Sequence, residues 1–279
     1  EVLRDVEHEV KEEATQGIVC TDRNKMSLQG LLEYANTVDL AEIKDVIQRQ
    51  IEMNSRISQE GLDNAWGAQI GKTILGNWGH DVRTEACAAA AAGSDARMSG
   101  CPLPVVINSG SGNQGITVTM PALVYAREWK ISEEKMYRAL LVSNLVSIYI
   151  KHYIGALFAF CGAVSAACGS GAAITFMASG DYQHIGRTIT NTLANVGGIV
   201  CDGAKSSCAA KIAASVNAAL LAHYMSMSDK QFQAGEGIVE QDVEETIKNM
   251  GYIGRVGMKS TDKEILNVMI DKADVDSCL

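Results

Sequence analysis

The chain has 279 residues, 47% of them hydrophobic, and its 24 basic and 33 acidic side chains give a net charge of −9. This apolar content is sufficient for a substantial core. Because no run of Lys or Arg stands out, the composition argues against a nucleic-acid-binding protein. Aromatic residues make up only 5% of the chain, so we expect a core of closely packed helices that is rich in Ala and Gly.

The first clear helical pattern begins at Asp39. This residue can cap a helix, with Glu42 three positions later as in a capping box, and apolar residues follow at helical spacing as far as 58–61. An alanine run at 86–92 also predicts a helix, and Ser132 is expected to cap another. Further helices are predicted at residues 67–75, 181–195, 209–225, 240–250 and 262–272. Because strand signals are few and short, the expected fold is all-α, a compact multi-helix domain with Ala- and Gly-rich buried central helices and one Gly-rich loop.

The pattern becomes irregular between the alanine run and residue 115. Residues 94–100 lead to Pro102 and Pro104, and the sequence NSGSGNQG follows at 108–115; with Pro121 nearby, all 3 prolines lie around this segment. Glycines let backbone N–H groups approach an anion, so this loop is either a small polar ligand site or a plain structural turn. Its candidate substrate-binding residues are Ser109, Gly110, Ser111, Gly112, Asn113 and Gln114.

Arg97 lies just before this loop, two residues after Asp95. Its guanidinium could hold a substrate carboxylate as a two-pronged fork. The alternative is a surface ion pair between Arg97 and Asp95, and the sequence by itself favours that simpler interpretation.

Residues 152–180 contain no Asp, Glu, Lys or Arg, and Lys151 is their only immediate basic flank. The stretch is long enough to cross a bilayer. Its many Gly, Ser and Cys residues and its lack of aromatic residues at both ends instead predict a buried helix pair. We therefore expect no membrane association.

The chain contains 8 cysteines. An even number of cysteines forms disulfides mostly in short secreted proteins, and the charged residues 1–13 do not resemble a signal peptide. We therefore expect reduced thiols and a cytoplasmic protein. The cysteines are Cys20, Cys87, Cys101, Cys161, Cys168, Cys201, Cys208 and Cys278.

Cys201 and Cys208 are seven residues apart, which on one helix would separate them by about 10 Å along the axis. Gly203 and the glycines at 197–198 predict instead that Cys201 lies in a loop and Cys208 near the start of the next helix. Thiolates are the usual ligands of iron–sulfur clusters, yet cysteine is also a common small core residue. The spacing leaves both interpretations open, while the lack of a C-x2-C pair argues against a zinc ribbon.

Several segments resemble the L-cysteine desulfidase family, and the similarity runs from about residue 37 to residue 272. The segments are residues 58–62, 94–98, 108–117, 201–204, 236–239 and 242–244. The block at 108–115 is the most specific of them. More distantly, the chain is similar to the α domain of iron–sulfur L-serine dehydratases, in which a Cys about forty residues upstream of a Cys-Asp pair joins a further Cys after it.

The resemblance implies a [4Fe–4S] cluster held by Cys161, Cys201 and Cys208, with the fourth iron acting as a Lewis acid. The implied reaction is the α,β-elimination of L-cysteine to pyruvate, ammonia and hydrogen sulfide. Two alternatives stay open, an L-serine dehydratase and a non-catalytic module that binds a cluster or an amino acid.

One departure from the family concerns its N-terminal half, which carries a Gly-Cys-Thr-Glu-Pro motif whose Cys is implicated in catalysis. Because that motif is absent here, we expect residues 1–36 to be a remnant or linker from a missing N-terminal half and residues 37–279 to be the helical, cluster-binding catalytic domain. That half, on the same protein or on a separate chain, is then an expected partner, and the catalytic residues stay unassigned. The expected substrate is L-cysteine or L-serine, and homo-oligomer formation is left open.

Overall fold

The computed structural model describes residues 22–155, 159–178 and 181–272, and within them the chain forms eleven α-helices and no β-strand. The predicted all-α fold is confirmed. The helices are α1 (Leu28–Thr37), α2 (Leu40–Asp63), α3 (Ile70–Asn77), α4 (Val82–Met98), α5 (Gly112–Glu128), α6 (Glu133–Ile154), α7 (Gly162–Ala178), α8 (Tyr182–Val196), α9 (Cys208–Met227), α10 (Val243–Tyr252) and α11 (Lys259–Met269).

Helices α2 and α6 begin at the predicted caps Asp39 and Ser132, and α8 begins at Asp181, whose capping role was not predicted. The side chains of Asp39, Ser132 and Asp181 accept hydrogen bonds from backbone N–H groups in the first turns of α2, α6 and α8. Each such bond satisfies a donor that the helix itself cannot satisfy, which makes helix starts a local property of the sequence.

The end predicted for α2 at residues 58–61 is wrong, because the helix continues to Asp63. Gly61 allows α2 to contact the backbone of α4, since a Cβ atom there would clash with the Ala92 carbonyl. Glycine in this position permits close helix packing and does not break the helix. The alanine-rich helix also extends further than expected, through Asp95 to Met98.

Pro121 does not belong to the irregular segment but lies inside α5. A proline in a helix interior removes one backbone hydrogen bond and costs about 3 kcal/mol. Residues on every side of this helix are buried, including Pro121 itself, so tertiary packing outweighs the local penalty.

In the centre of the fold, α4 and α7 each contact both α5 and α9. Residues 163–177 of α7 are all buried, which agrees with the predicted Ala- and Gly-rich central helices. Gly169 lets α7 approach α6 so closely that a Cβ atom would clash with the Ser143 carbonyl. At the periphery, α11 has no buried residue.

The predicted buried helix pair at 152–180 corresponds to the end of α6 followed by α7, with residues 156–158 and 179–180 outside the described part. Among the described helices, none is both long enough and apolar enough to cross a bilayer.

The predicted domain boundary at residue 37 coincides with the end of α1, whose buried face packs against α6. Residues 1–21 and 273–279, with Cys20 and Cys278, lie outside the described part of the chain. The division into a linker and a catalytic domain stays a prediction.

Candidate functional site

A cavity of about 310 Å³ brings most of the predicted site residues together. From the predicted set it is lined by Arg97, Ser109, Gly110, Ser111, Asn113, Gln114, Cys161, Cys201 and Cys208. Gly112 supports the site from outside the lining. The functional roles of these residues remain predictions, but their convergence from four separate chain segments is a property of the fold.

The Gly-rich segment forms a tight turn followed at once by a helix. Asn108 and Ser111 exchange two backbone hydrogen bonds of 3.1 and 3.0 Å, and Ser109 and Gly110 between them adopt positive φ angles of 48° and 81°. Ser111 then caps α5 by accepting a bond from the Gln114 N–H. The predicted loop therefore ends at residue 111, and residues 112–114 form the first turn of α5.

The side chain of Asn108 fixes this turn to α6. It donates to Asn144 Oδ1 at 3.0 Å and accepts from Ser147 Oγ at 3.0 Å. Asn144 is itself held by Gln50 of α2, which accepts from its Nδ2 at 2.9 Å. This buried polar network was missed in the sequence, although its signal is visible there as polar residues on the otherwise apolar face of α6.

Arg97 reaches the first turn of α5 and does not pair with Asp95. Its Nη1 donates to Asn113 Oδ1 at 3.2 Å, and a Cβ atom at Gly112 would clash with the guanidinium. Asp95 is buried and accepts a 3.0 Å bond from the Gly71 N–H, while its burial raises its carboxyl pKa. The surface ion pair favoured for Arg97 is therefore wrong.

Cys161 and Cys201 are placed side by side by a short antiparallel backbone pairing. The Cys161 N–H donates to the Ile199 carbonyl at 2.9 Å, and the Cys201 N–H donates to the Ala159 carbonyl at 2.6 Å. The two thiols are hydrogen-bonded to each other. Cys161 immediately precedes α7, so residues 40 positions apart in the sequence meet at the cavity.

Cys208 is the first residue of α9, and Cys201 lies in the loop before it, as the glycine pattern indicates. Gly203 has a φ angle of 91°, a conformation that strains residues with a side chain. This bend brings the Gly203 carbonyl to 3.7 Å from the Cys208 sulfur, which donates to it, while the Lys205 N–H donates to the same sulfur at 3.5 Å.

The surroundings favour negative charge on the sulfur of Cys201 but not on that of Cys161. The hydrogen bond from Cys161 lowers the pKa of the Cys201 thiol, and the Gly203 N–H and the ammonium of Lys211, which is paired with Asp202, act in the same direction. That shared hydrogen bond and burial raise the pKa of Cys161. Among the described lining residues there is no Asp or Glu, and α5, α7 and α9 all begin at the cavity, where helix N-termini contribute positive potential.

Lys151 is a cavity residue that the sequence analysis did not select. Its side chain lies near the end of α6, and the residue is only 8% exposed. Burial lowers its ammonium pKa, against the opposing influence of the thiols of Cys201 and Cys161. A signal was available in the sequence, because Lys151 lies in helical phase with the buried residues Leu140 and Ser147.

The cysteines of the cavity fit a cluster better than a single metal ion. Across the described residues, no three Cys, His, Asp or Glu side chains lie close enough together to hold a single metal ion. A four-iron cluster is wider than one ion, and its ligands are thiolates distributed around it. Three cysteines on the wall of one cavity, with positive charges and helix N-termini around them, fit such an anionic group.

Comparisons with known proteins give one family model and several relatives. The profile of the family described as serine dehydratase alpha chain matches residues 1–267. A UPF0597 protein of Desulfitobacterium hafniense is 52% identical over 252 residues, which make up 90% of this chain and 59% of that protein. A UPF0597 protein of Lachnoclostridium phytofermentans is 50% identical over 250 residues, or 90% of this chain and 60% of that protein.

The chain thus spans about three-fifths of the length of these curated relatives. No solved structure matches it.

Proposed function

Since the chain belongs to the serine dehydratase alpha chain family, we propose that it forms the cluster-binding part of a lyase that removes the β substituent of a small L-amino acid. The observation that carries this proposal is the single cavity shared by three cysteines and the turn at residues 109–111. A cavity of about 310 Å³ lies at the lower end of the range typical of small-molecule sites.

Cys161, Cys201 and Cys208 would hold a [4Fe–4S] cluster in this cavity. When bound through three thiolates, such a cluster supplies one Lewis-acidic iron. The chain's own residues supply binding and orientation. Asn113 and Gln114 present amide donors and acceptors to the substrate's polar groups, and Arg97 fixes the Asn113 side chain.

We propose L-cysteine as the first substrate, because residues 108–117 and 201–204 resemble the cysteine desulfidase pattern. Elimination of L-cysteine followed by hydrolysis consumes one water and yields pyruvate, ammonia and hydrogen sulfide. The family match favours a second candidate, L-serine, which would give pyruvate and ammonia. A non-catalytic module that binds a cluster or an amino acid is the remaining alternative.

The group that removes the α proton is proposed to lie in the part of the longer relatives that this chain does not cover. A positioned general base contributes on the order of a hundredfold to ten-thousandfold in rate. The chain alone should therefore bind the cluster but turn over slowly, and the segment of the relatives that it does not cover should restore the rate.

The test is anaerobic reconstitution of the chain with ferrous iron and sulfide, followed by measurement of bound iron and the visible spectrum. Cys201→Ser should lose nearly all bound iron, whereas Cys101→Ser, a free thiol outside the cavity lining, should retain it. Pyruvate and sulfide release from L-cysteine and L-serine are then measured with and without the uncovered segment of the Desulfitobacterium hafniense relative.

A colourless protein that takes up no iron would contradict the cluster assignment. Rapid pyruvate release by the isolated chain would show that the base lies within these residues. Iron binding without turnover of either amino acid, even with the segment present, would favour the non-catalytic module.

A further inference from the structure

Lys151 is a buried cation without a partner of its own among the described residues. Its ammonium forms no hydrogen bond or ion pair with any side chain or backbone group in residues 22–155, 159–178 and 181–272. Burying an uncompensated charge is expensive, so a buried ammonium normally has a counter-charge. The cavity that it lines has no described carboxylate, and an anion entering that cavity would therefore provide the missing charge.

The position of Lys151 within the site is set by α6. Ser147, one helical turn earlier, is bonded to Asn108 at the base of the 108–111 turn. On its other side, Lys151 is near enough to the thiols of Cys201 and Cys161 for them to influence its charge. Lys151 thus lines the same cavity as the proposed substrate turn and the proposed cluster ligands.

Two anions could pair with the Lys151 ammonium, the carboxylate of a substrate or the cysteine thiolates. The other polar groups of the cavity favour the carboxylate. Cys201 already has the Cys161 thiol, the Gly203 N–H and nearby Lys211 to stabilise its charge. Arg97 is engaged with Asn113. Gln114 has a buried side-chain oxygen without a hydrogen-bond partner in the described structure, and such an acceptor suits an ammonium group.

We propose that Lys151 binds the carboxylate of the amino-acid substrate and so makes the site specific for a zwitterionic α-amino acid, with the Gln114 side-chain oxygen accepting from the α-ammonium group. This inference rests on the proposed function, since it assigns a residue to the recognition of the same substrate class. Arg97 then acts as a positioning residue for Asn113.

The test compares binding of L-serine with binding of L-serinamide, which has the same side chain but no carboxylate, by calorimetry on the anaerobically reconstituted protein. The wild-type chain should bind L-serine more tightly. Lys151→Met keeps the length and packing of the side chain and should weaken L-serine binding about tenfold to a hundredfold, the range for a hydrogen bond between charged groups. Serinamide binding should change little, and Lys151→Arg should preserve part of the preference.

Lys248→Met is the control, because Lys248 is also a lysine but is paired with Glu245 and does not line the cavity. It should keep the wild-type preference for L-serine. Iron content and the circular dichroism spectrum are measured for each variant to establish that it folds and loads.

Two outcomes would overturn the assignment of Lys151, and a third would contradict the proposed function. If Lys151→Met keeps the preference for L-serine, the assignment of Lys151 is overturned. If that variant instead loses iron and keeps the preference, its charge serves the thiolates, and the assignment is again overturned. If the wild-type chain itself shows no preference for L-serine, the amino-acid site of the proposed function fails.

Discussion

Polar side chains are buried near both ends of helix α7, but the two groups differ in their hydrogen bonding. At the N-terminal end, next to Cys161, the buried residue Lys151 lines the cavity, and the buried side-chain oxygen of Gln114 lacks a hydrogen-bond partner in the described structure. Towards the C-terminal end, Thr175 Oγ1 lies 2.9 Å from His223 Nδ1 and 2.8 Å from Thr188 Oγ1.

Buried polar groups can therefore serve two purposes, stabilising the fold or binding a ligand. Polar groups that satisfy each other stabilise one arrangement of the helices and need nothing from outside. Polar groups that line a cavity without partners lower the stability of the fold and are satisfied by a ligand. The His223 end is therefore expected to govern stability, and the Lys151 end to govern binding.

The largest expected effect on stability is the pH dependence set by His223. Burial lowers the pKa of His223 to about 4, against about 6.5 in the unfolded chain. The unfolded state thus takes up a proton first, and the stability present above pH 6.5 is lost as the pH falls from about 6.5 to about 4. This shift corresponds to about 3 kcal/mol of unfolding free energy.

Urea unfolding of the iron-free chain at a series of pH values measures this loss, and His223→Gln should flatten the curve in the same window. Carboxylates also titrate below pH 5, so the comparison is made between the two slopes. An unchanged slope in His223→Gln would mean that the histidine is accessible to protons in the folded state.

A smaller effect of the opposite sign is expected at the other end of α7. Lys151→Met removes a buried charge while keeping the packing volume, and should raise the unfolding free energy of the iron-free chain by about 1 kcal/mol. Lys211→Met, which breaks the ion pair with Asp202, should give no gain. Destabilisation by Lys151→Met in a urea titration would show that the fold needs this ammonium.

An effect of similar size, but destabilising, is expected where the His223 end reaches the surface. Tyr125 and Tyr224 share a hydrogen bond of 2.8 Å between their hydroxyl groups, and Tyr125 is fully buried. Tyr224→Phe should cost about 1 kcal/mol because it leaves the Tyr125 hydroxyl without this partner. The double variant with Tyr125→Phe should recover part of that loss in thermal unfolding, and neither variant should change iron content.

Features that depend on neighbouring residues were predictable from the sequence. The capping residues Asp39 and Ser132 identify helix starts because their hydrogen bonds are local. The loop position of Cys201 and the helix start at Cys208 follow in the same way from the nearby glycines.

Features that depend on tertiary packing were not predictable. Pro121 is tolerated in α5 because of burial by other helices, and Gly61 permits contact with α4. Lys151 was passed over because a lysine that flanks an apolar stretch usually lies at the surface. Only the packing of α6 against α7 shows that it faces a cavity.

The close approaches made by glycines limit how this protein can be redesigned. Gly115 fits against the Val106 carbonyl and Gly169 against the Ser143 carbonyl, with no room for even a methyl group at either position. The backbones at these two contacts are therefore at their minimum separation. The helices cannot move closer together to fit the cavity around a smaller ligand. Selectivity is most directly altered by enlarging the small lining side chains Ala163 and Ala204, which makes a library at these two positions the natural starting point for engineering.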